Sequence, residues 1–167
     1  MSRWLPFVIA LWLGAALPAA ADPDIGRVAR VVVAGINDAR QQEGAKPVVP
    51  DARLVRAAQA FADFLARTDR FDHDADGSSP MERARKAGYA WCKVSENIAY
   101  EWNTRGFESD VLAQAFVRDW KESRGHRRNL LDPEVRETGV GVAQSRKTHR
   151  WYAVQMFGRE RGPNGCR

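Results

Sequence analysis

Helical periodicity fills the first half of the chain and strand-like runs close it, an order that few architectures accommodate. From Ile25 to Gln42, the residues Ile25, Val28, Val32, Ile36 and Ala39 recur at intervals of three and four, which predicts a helix with one buried stripe that Gly44 terminates. Asp51 is the N-cap of a second predicted helix, in which Leu54, Ala57, Ala58, Phe61 and Leu65 repeat that spacing. A third begins at Ser79-Pro80-Met81-Glu82, with Ser79 at N-cap, Pro80 at N1 and Glu82 at N3 completing a capping box, and Gly88 ends it. A fourth runs from about Ser109 to Glu122 and buries Val111, Leu112, Ala115, Phe116 and Trp120, with Asp119, Lys121 and Glu122 mostly on its other side. Gly139 to Ala143 and Trp151 to Phe157, separated by the polar run Gln144 to Arg150, read as an antiparallel hairpin, and Val94 to Tyr100 as a further short extended segment. With no repeat, linker or low-complexity tract, the predicted class is α+β, helices over a small antiparallel sheet.

The amino terminus carries Arg3, an apolar segment from Trp4 to Leu17, and Pro18-Ala19-Ala20-Ala21 before Asp22. That is the charged, apolar and small-residue succession of a secretory signal peptide. The apolar segment falls short of the about 20 residues that span a bilayer. Residues 1–21 are therefore expected to be removed, residues 22–167 to form one domain without a transmembrane segment, and the mature protein to be secreted or periplasmic. Outside the cytoplasm, Cys92 and Cys166 form an even count that favours a disulfide, with two unpaired thiols as the alternative. A loop that long would stabilise by about 4 kcal/mol. The chain carries 26 basic and 21 acidic residues; without Arg3 the net charge is about +4. In that compartment a basic surface points to anionic headgroups or envelope polymers before nucleic acid. The clusters Arg124-Arg127-Arg128 and Arg146-Lys147-Arg150 also read as solvated faces.

Two of the three histidines, His73 and His126, stand beside turn-forming residues, a placement that favours an accessible role; His149 falls in the hairpin loop and reads as solvated. Asp72, Asp74, Asp76 and Gly77 copy the opening of a calcium-binding EF-hand loop, but Arg83 stands where that loop needs a bidentate glutamate, so a capped turn is the expectation. Ser123 and His126 lie three apart without the Gly-x-Ser-x-Gly elbow of a hydrolase, and no His-Glu-x-x-His pattern occurs.

Four separated motifs carry a resemblance. Ser95-Glu96-Asn97-Ile98-Ala99, then Trp120-x-x-Ser123-x-Gly125-His126-Arg127-x-Asn129-Leu130-Leu131, then Thr138-Gly139-Val140-Gly141-Val142-Ala143, and Tyr152-x-x-Gln155-x-Phe157-Gly158 resemble, in order, the CAP superfamily (cysteine-rich secretory, antigen 5, pathogenesis-related 1) in its bacterial SCP-like branch. Phe71-x-His73 with Asp76-Gly77-Ser78-Ser79-Pro80 matches the region around that branch's first histidine. The resemblance implies an α-β-α sandwich whose cleft holds two histidines and two acids. Carried over by position, the histidines are His73 and His126 and the first acid is Glu96. Where many eukaryotic members carry the second acid, this chain has Ser123, with Glu122 one position and about 100° of helix away.

Two neutral imidazoles with a nearby carboxylate suit zinc or another divalent cation, with His73 and His126 as ligands and Glu96 binding, orienting or moving a proton. A hydrogen-bonded cluster without a ligand is the other reading of the same residues. The function implied is an exported binding or interaction module at the cell envelope or beyond it, with envelope polymers, a lipid or sterol, or another extracellular protein as candidate partners. The alternatives are a metal-dependent hydrolase, with Glu96 as the catalytic residue, and a sterol or lipid binder.

Overall fold

The computed structural model describes residues 22–166; the leader expected over residues 1–21 lies outside them. The elements run α1 (Ile25–Gln42), β1 (Val49–Pro50), α2 (Ala52–Thr68), α3 (Pro80–Lys86), β2 (Trp91–Glu101), α4 (Ser109–Glu122), α5 (Arg124–Leu131), β3 (Glu137–Gln144) and β4 (Trp151–Glu160). The sheet order is β1-β3-β4-β2. The hairpin β3–β4 and the pair β2–β4 are antiparallel, with Ala143 opposite Tyr152 and Glu96 opposite Met156. The expectation of an antiparallel sheet needs one correction: β1 adds in parallel to β3 at the edge, Val49 opposite Glu137. Two residues, one of them the proline Pro50, carry no period from which a strand could be read.

Period-2 alternation on the strands splits the interior into two cores. Ala99, Ala153 and Phe157 point into one, with α1, α4 and α5; Ile98, Tyr152, Val154 and Met156 point into the other, with α2 and α3. This is the α-β-α sandwich. Local chemistry fixes the helix starts: Asp24 caps α1 through the Arg27 amide, Asp51 caps α2, and the Ser79–Glu82 capping box opens α3. Two residues expected in the buried stripes lie outside them. Ile25, the first residue of α1, is 40% exposed, and Val111, in the first turn of α4 at the flank of its stripe, is 54% exposed.

Close packing of α2 on β3 accounts for the glycines of Thr138-Gly139-Val140-Gly141. A Cβ on Gly139 would stand 2.1 Å from the Leu54 carbonyl carbon, and one on Gly141 2.3 Å from the Gln59 amide nitrogen. Only glycine admits the helix backbone at that distance. Beyond β1, Gln59 satisfies the open edge of β3, donating to the Val142 carbonyl at 3.0 Å and accepting from its amide at 3.1 Å. Cys92 and Cys166 form a disulfide with a Cα–Cα separation of 5.3 Å, which ties the C-terminal tail to the start of β2.

Candidate functional site

Strand β2 is the edge of the sheet, and the candidate residues gather along it from both layers. Glu96 shares the face of Ile98 toward α2 and α3, whereas Asn97 shares the face of Ala99 toward α4 and α5. His73 arrives from the α2–α3 loop on the first side, and its Nδ1 meets Glu96 Oε1 at 2.9 Å. His126 arrives from α5 on the other side. Asn97 donates to the His126 carbonyl at 3.2 Å, and Asn129 donates to the Glu96 carbonyl at 3.1 Å and to Asn97 Oδ1 at 2.9 Å. These bonds explain the motif pair Glu96-Asn97 and His126-x-x-Asn129: the two asparagines clamp α5 to the strand edge and so place His126.

Glu96 is buried, its side chain 1% exposed, while the His73 side chain is 48% exposed. A buried carboxylate needs compensation, and Arg83 on α3 supplies it. Its Nη2 donates to Glu96 Oε1 at 3.0 Å, to Oε2 at 2.9 Å and to the His73 carbonyl at 2.8 Å, and its Nη1 donates to Asp76 at 2.8 Å and to the Ser78 carbonyl at 2.7 Å. The guanidinium also lies 3.6 Å from the Phe61 ring centroid. The Asp-rich loop is thus a capped turn, with Asp76 accepting from the Ser78 amide at 2.9 Å. Its internal cation is the arginine whose presence argued against calcium. Sequence reading used Arg83 only to exclude a site and missed it as the residue that organises one.

The two imidazoles are biased in opposite directions. The hydrogen bond to Glu96 raises the His73 pKa above its ordinary value, against the opposing effect of burial. Burial first, and then the neighbouring His73, lowers that of His126, while Asp119 pulls it the other way. Asp119, its side chain 41% exposed off the buried stripe of α4, lies beside Glu101 at the end of β2. Burial and then Asp119 push Glu101 up to about 7. Ser123 ends α4 and is the N-cap of α5 without a side-chain capping bond. Glu122 faces the groove between α1 and α4, with Gly35 and Asp38. His149 is exposed in the hairpin loop at φ 58°.

An α-β-α sandwich with paired histidines over the edge strand defines a CAP-type domain. Residues 33–157 match the cysteine-rich secretory protein family, and the chain belongs to it, in its bacterial branch. It is similar to the uncharacterised protein YkwD of Bacillus subtilis strain 168, at 30% identity over 115 residues, 68% of this chain and 42% of that protein. The chain therefore spans about two-fifths of that relative's length. The fold is similar to an outer surface protein of Borrelia burgdorferi, with a TM-score of 0.72 at 18% identity over 83% of this chain and 96% of that one. It is also similar to an extracellular SCP-domain protein of Bacillus anthracis Ames, with a TM-score of 0.67 at 22% identity over 81% and 41%. Among the described residues, no helix is long and apolar enough to cross a membrane.

Proposed function

We propose that residues 1–21 export the chain, that residues 22–167 form a single CAP domain, and that this domain is a binding module working outside the cytoplasm. Its recognition site is the cleft of His73, Glu96, Ser123 and His126, and its partner an envelope polymer or another exported protein. One observation carries the choice of binding over catalysis: both Glu96 oxygens are engaged by Arg83, and one also by His73. That carboxylate orients His73 rather than standing free to move a proton, and Ser123 occupies the place of a second acid.

Zinc or another divalent cation is the cofactor that the resemblance suggests, and the residues test poorly against it. Nδ1 of His73 is taken by Glu96, leaving Nε2 and the His126 ring as two donors. Among the described residues, no group of three or more ligating side chains comes together. Protein zinc sites use three or four. The donor set does not fit a resident metal, and none of the proposed chemistry passes through one.

A hydrolase is the second reading, favoured by the opposite bias of the two histidines. Between their pKa values His73 is a protonated donor and His126 a neutral acceptor, the pattern of an acid and base pair. The deciding experiment incubates purified mature protein with a peptide library, ester substrates and isolated envelope polymer. The binding reading predicts polymer or protein association that disappears in His73→Ala/His126→Ala while the domain stays folded, with no turnover. Turnover that His126→Ala abolishes would replace it with the hydrolase.

A further inference from the structure

Strand β3 has one unfinished stretch of edge. In its ladder with β4 the odd-numbered residues bond to the partner strand, a phase fixed where the Ser145 amide donates to the Arg150 carbonyl at 2.9 Å just past the strand. The N–H and C=O groups of Thr138, Val140 and Val142 therefore point away from β4. The Thr138 carbonyl accepts from the Asp51 amide at 2.8 Å where β1 ends, and Gln59 takes both groups of Val142. Between them, among the described residues, nothing bonds to the N–H or C=O of Val140, a residue 3% exposed. Helix α2 explains the gap. It runs beside β3 with Leu54 against Gly139 and Gln59 against Gly141, and one helical turn of about 5.4 Å nearly matches two strand residues, about 6.6 Å. Residues four apart on the helix thus meet alternate outward groups of the strand: Gln59 bonds to Val142, and Val55 shares a slot with Val140. Gln59 carries an amide to the edge, and Val55 carries none. The slot has a volume of about 280 Å³ and lies between Val55 and Pro50 on one side and Ala29, Arg30 and Val33 of α1 on the other. Its surroundings are close to neutral: a Cβ on Gly26 would stand 3.3 Å from Arg30 Nη1 and 3.2 Å from Asp24 Oδ1, so Arg30 has an acid beside it, and Asp51 is paired with Arg53 at 2.7 Å. Val49 and Val55, 58% and 37% exposed, add apolar surface.

We propose that this slot takes an extended, uncharged peptide segment of a partner protein, which bonds the Val140 N–H and C=O through its own backbone and lays a small apolar side chain between Val55 and Val33. Gln59 shows the chemistry, because its amide already makes on Val142 the donor and acceptor pair that a peptide residue would make on Val140. A hydrocarbon would leave the Val140 groups unpaired, and a charged group would find no free opposite charge. The volume lies just below the ~300–1,000 Å³ of small-molecule sites, which suits a short stretch of a longer chain. The slot is separate from the histidine cleft, so His73→Ala/His126→Ala leaves it intact and a failure at one site is distinguishable from a failure at the other.

The test titrates the mature protein with the blocked tripeptide acetyl-Val-Ala-Val-methylamide and follows the Val140 amide by NMR, with the fully N-methylated tripeptide and acetamide as comparisons. Saturable shifts of Val140 and slower exchange of its amide hydrogen are expected, with at least about tenfold weaker binding of the N-methylated form, which cannot donate. Val55→Gln places at Val140 the group that Gln59 places at Val142. It should abolish peptide binding and raise the melting temperature by about 2–4 °C. Val55→Ala leaves the edge open and should still bind, which separates backbone pairing from apolar contact and keeps the test decisive if the glutamine variant fails to fold. No saturable shift of Val140, equal affinity for the N-methylated peptide, or binding that survives Val55→Gln would overturn the proposal. So would acetamide binding as tightly as the tripeptide, which would make the slot a small-amide pocket. A Val140 resonance that moves with protein concentration alone would also overturn it, by assigning the edge to a second copy of the chain.

Discussion

Replacing Arg83 with methionine keeps the length and apolar body of the side chain over Phe61 and removes the guanidinium. In the native structure that group makes five hydrogen bonds, two of them to Glu96. Methionine would leave the Glu96 carboxylate, 1% exposed, with His73 as its remaining partner. Breaking a buried ion pair from one side costs about 3–5 kcal/mol, or a fall in melting temperature of about 10 °C for a domain of this size. The cost should depend on pH, and the sign follows from His73. Its pKa is raised in the folded state, so its contribution to stability is full below the unfolded value of about 6.5 and is lost as pH rises through the folded value. Arg83 opposes that raising, so Arg83→Met shifts His73 further up, and the penalty is smallest where the imidazolium still compensates Glu96. Urea unfolding at low and high pH measures both effects. The double variant Arg83→Met/Glu96→Gln should recover most of the loss, because no buried charge remains. A single-variant cost below about 1 kcal/mol, or a double variant no better than the single, would refute Arg83 as the counter-charge that holds the site.

Three further outcomes follow from the packing. Gly141→Ala would drive a methyl against the α2 backbone, so thermal unfolding should show a loss of about 1–3 kcal/mol, and an unchanged melt would mean that α2 and β3 pack less closely. Reducing Cys92–Cys166, whose partners are 74 residues apart, should lower stability by about 4 kcal/mol; equal urea midpoints with and without reductant would show that the bond constrains little. Asn129→Ala removes two hydrogen bonds between α5 and β2, costing about 1–3 kcal/mol, and should return the His126 pKa toward its ordinary value as the ring loosens. A His126 titration unchanged in that variant would show that the clamp does not position it.

Much of this fold was legible because the signals were local. The stripes of α1 and α2, the capping box of α3 and the alternation of β3 and β4 are each written within one segment. Helix α5 was not, because its eight residues are mostly polar and bury only Leu130. His126 beside Gly125 reads in sequence only as a residue near a turn, whereas it stands on a helix clamped by asparagines. The resemblance named His73, Glu96 and His126 as residues of one cleft without saying which would touch, and the contact of His73 with Glu96 is read only from the fold. Arg83 and the Glu101–Asp119 pair were invisible, since a buried cation and two facing acids look in sequence like ordinary charged helix and strand positions. Only the fold reveals that Arg83 answers Glu96 across 13 residues.

His73 and His126 are biased in opposite directions, His73 through its bond to Glu96. Titrating the imidazole resonances of wild type and Glu96→Gln by NMR tests it directly. The structure predicts His73 titrating above, and His126 below, the ordinary value of about 6.5, with His73 alone falling when Glu96 loses its charge. Two histidines that titrate together near that value, or a His73 indifferent to Glu96→Gln, would contradict it.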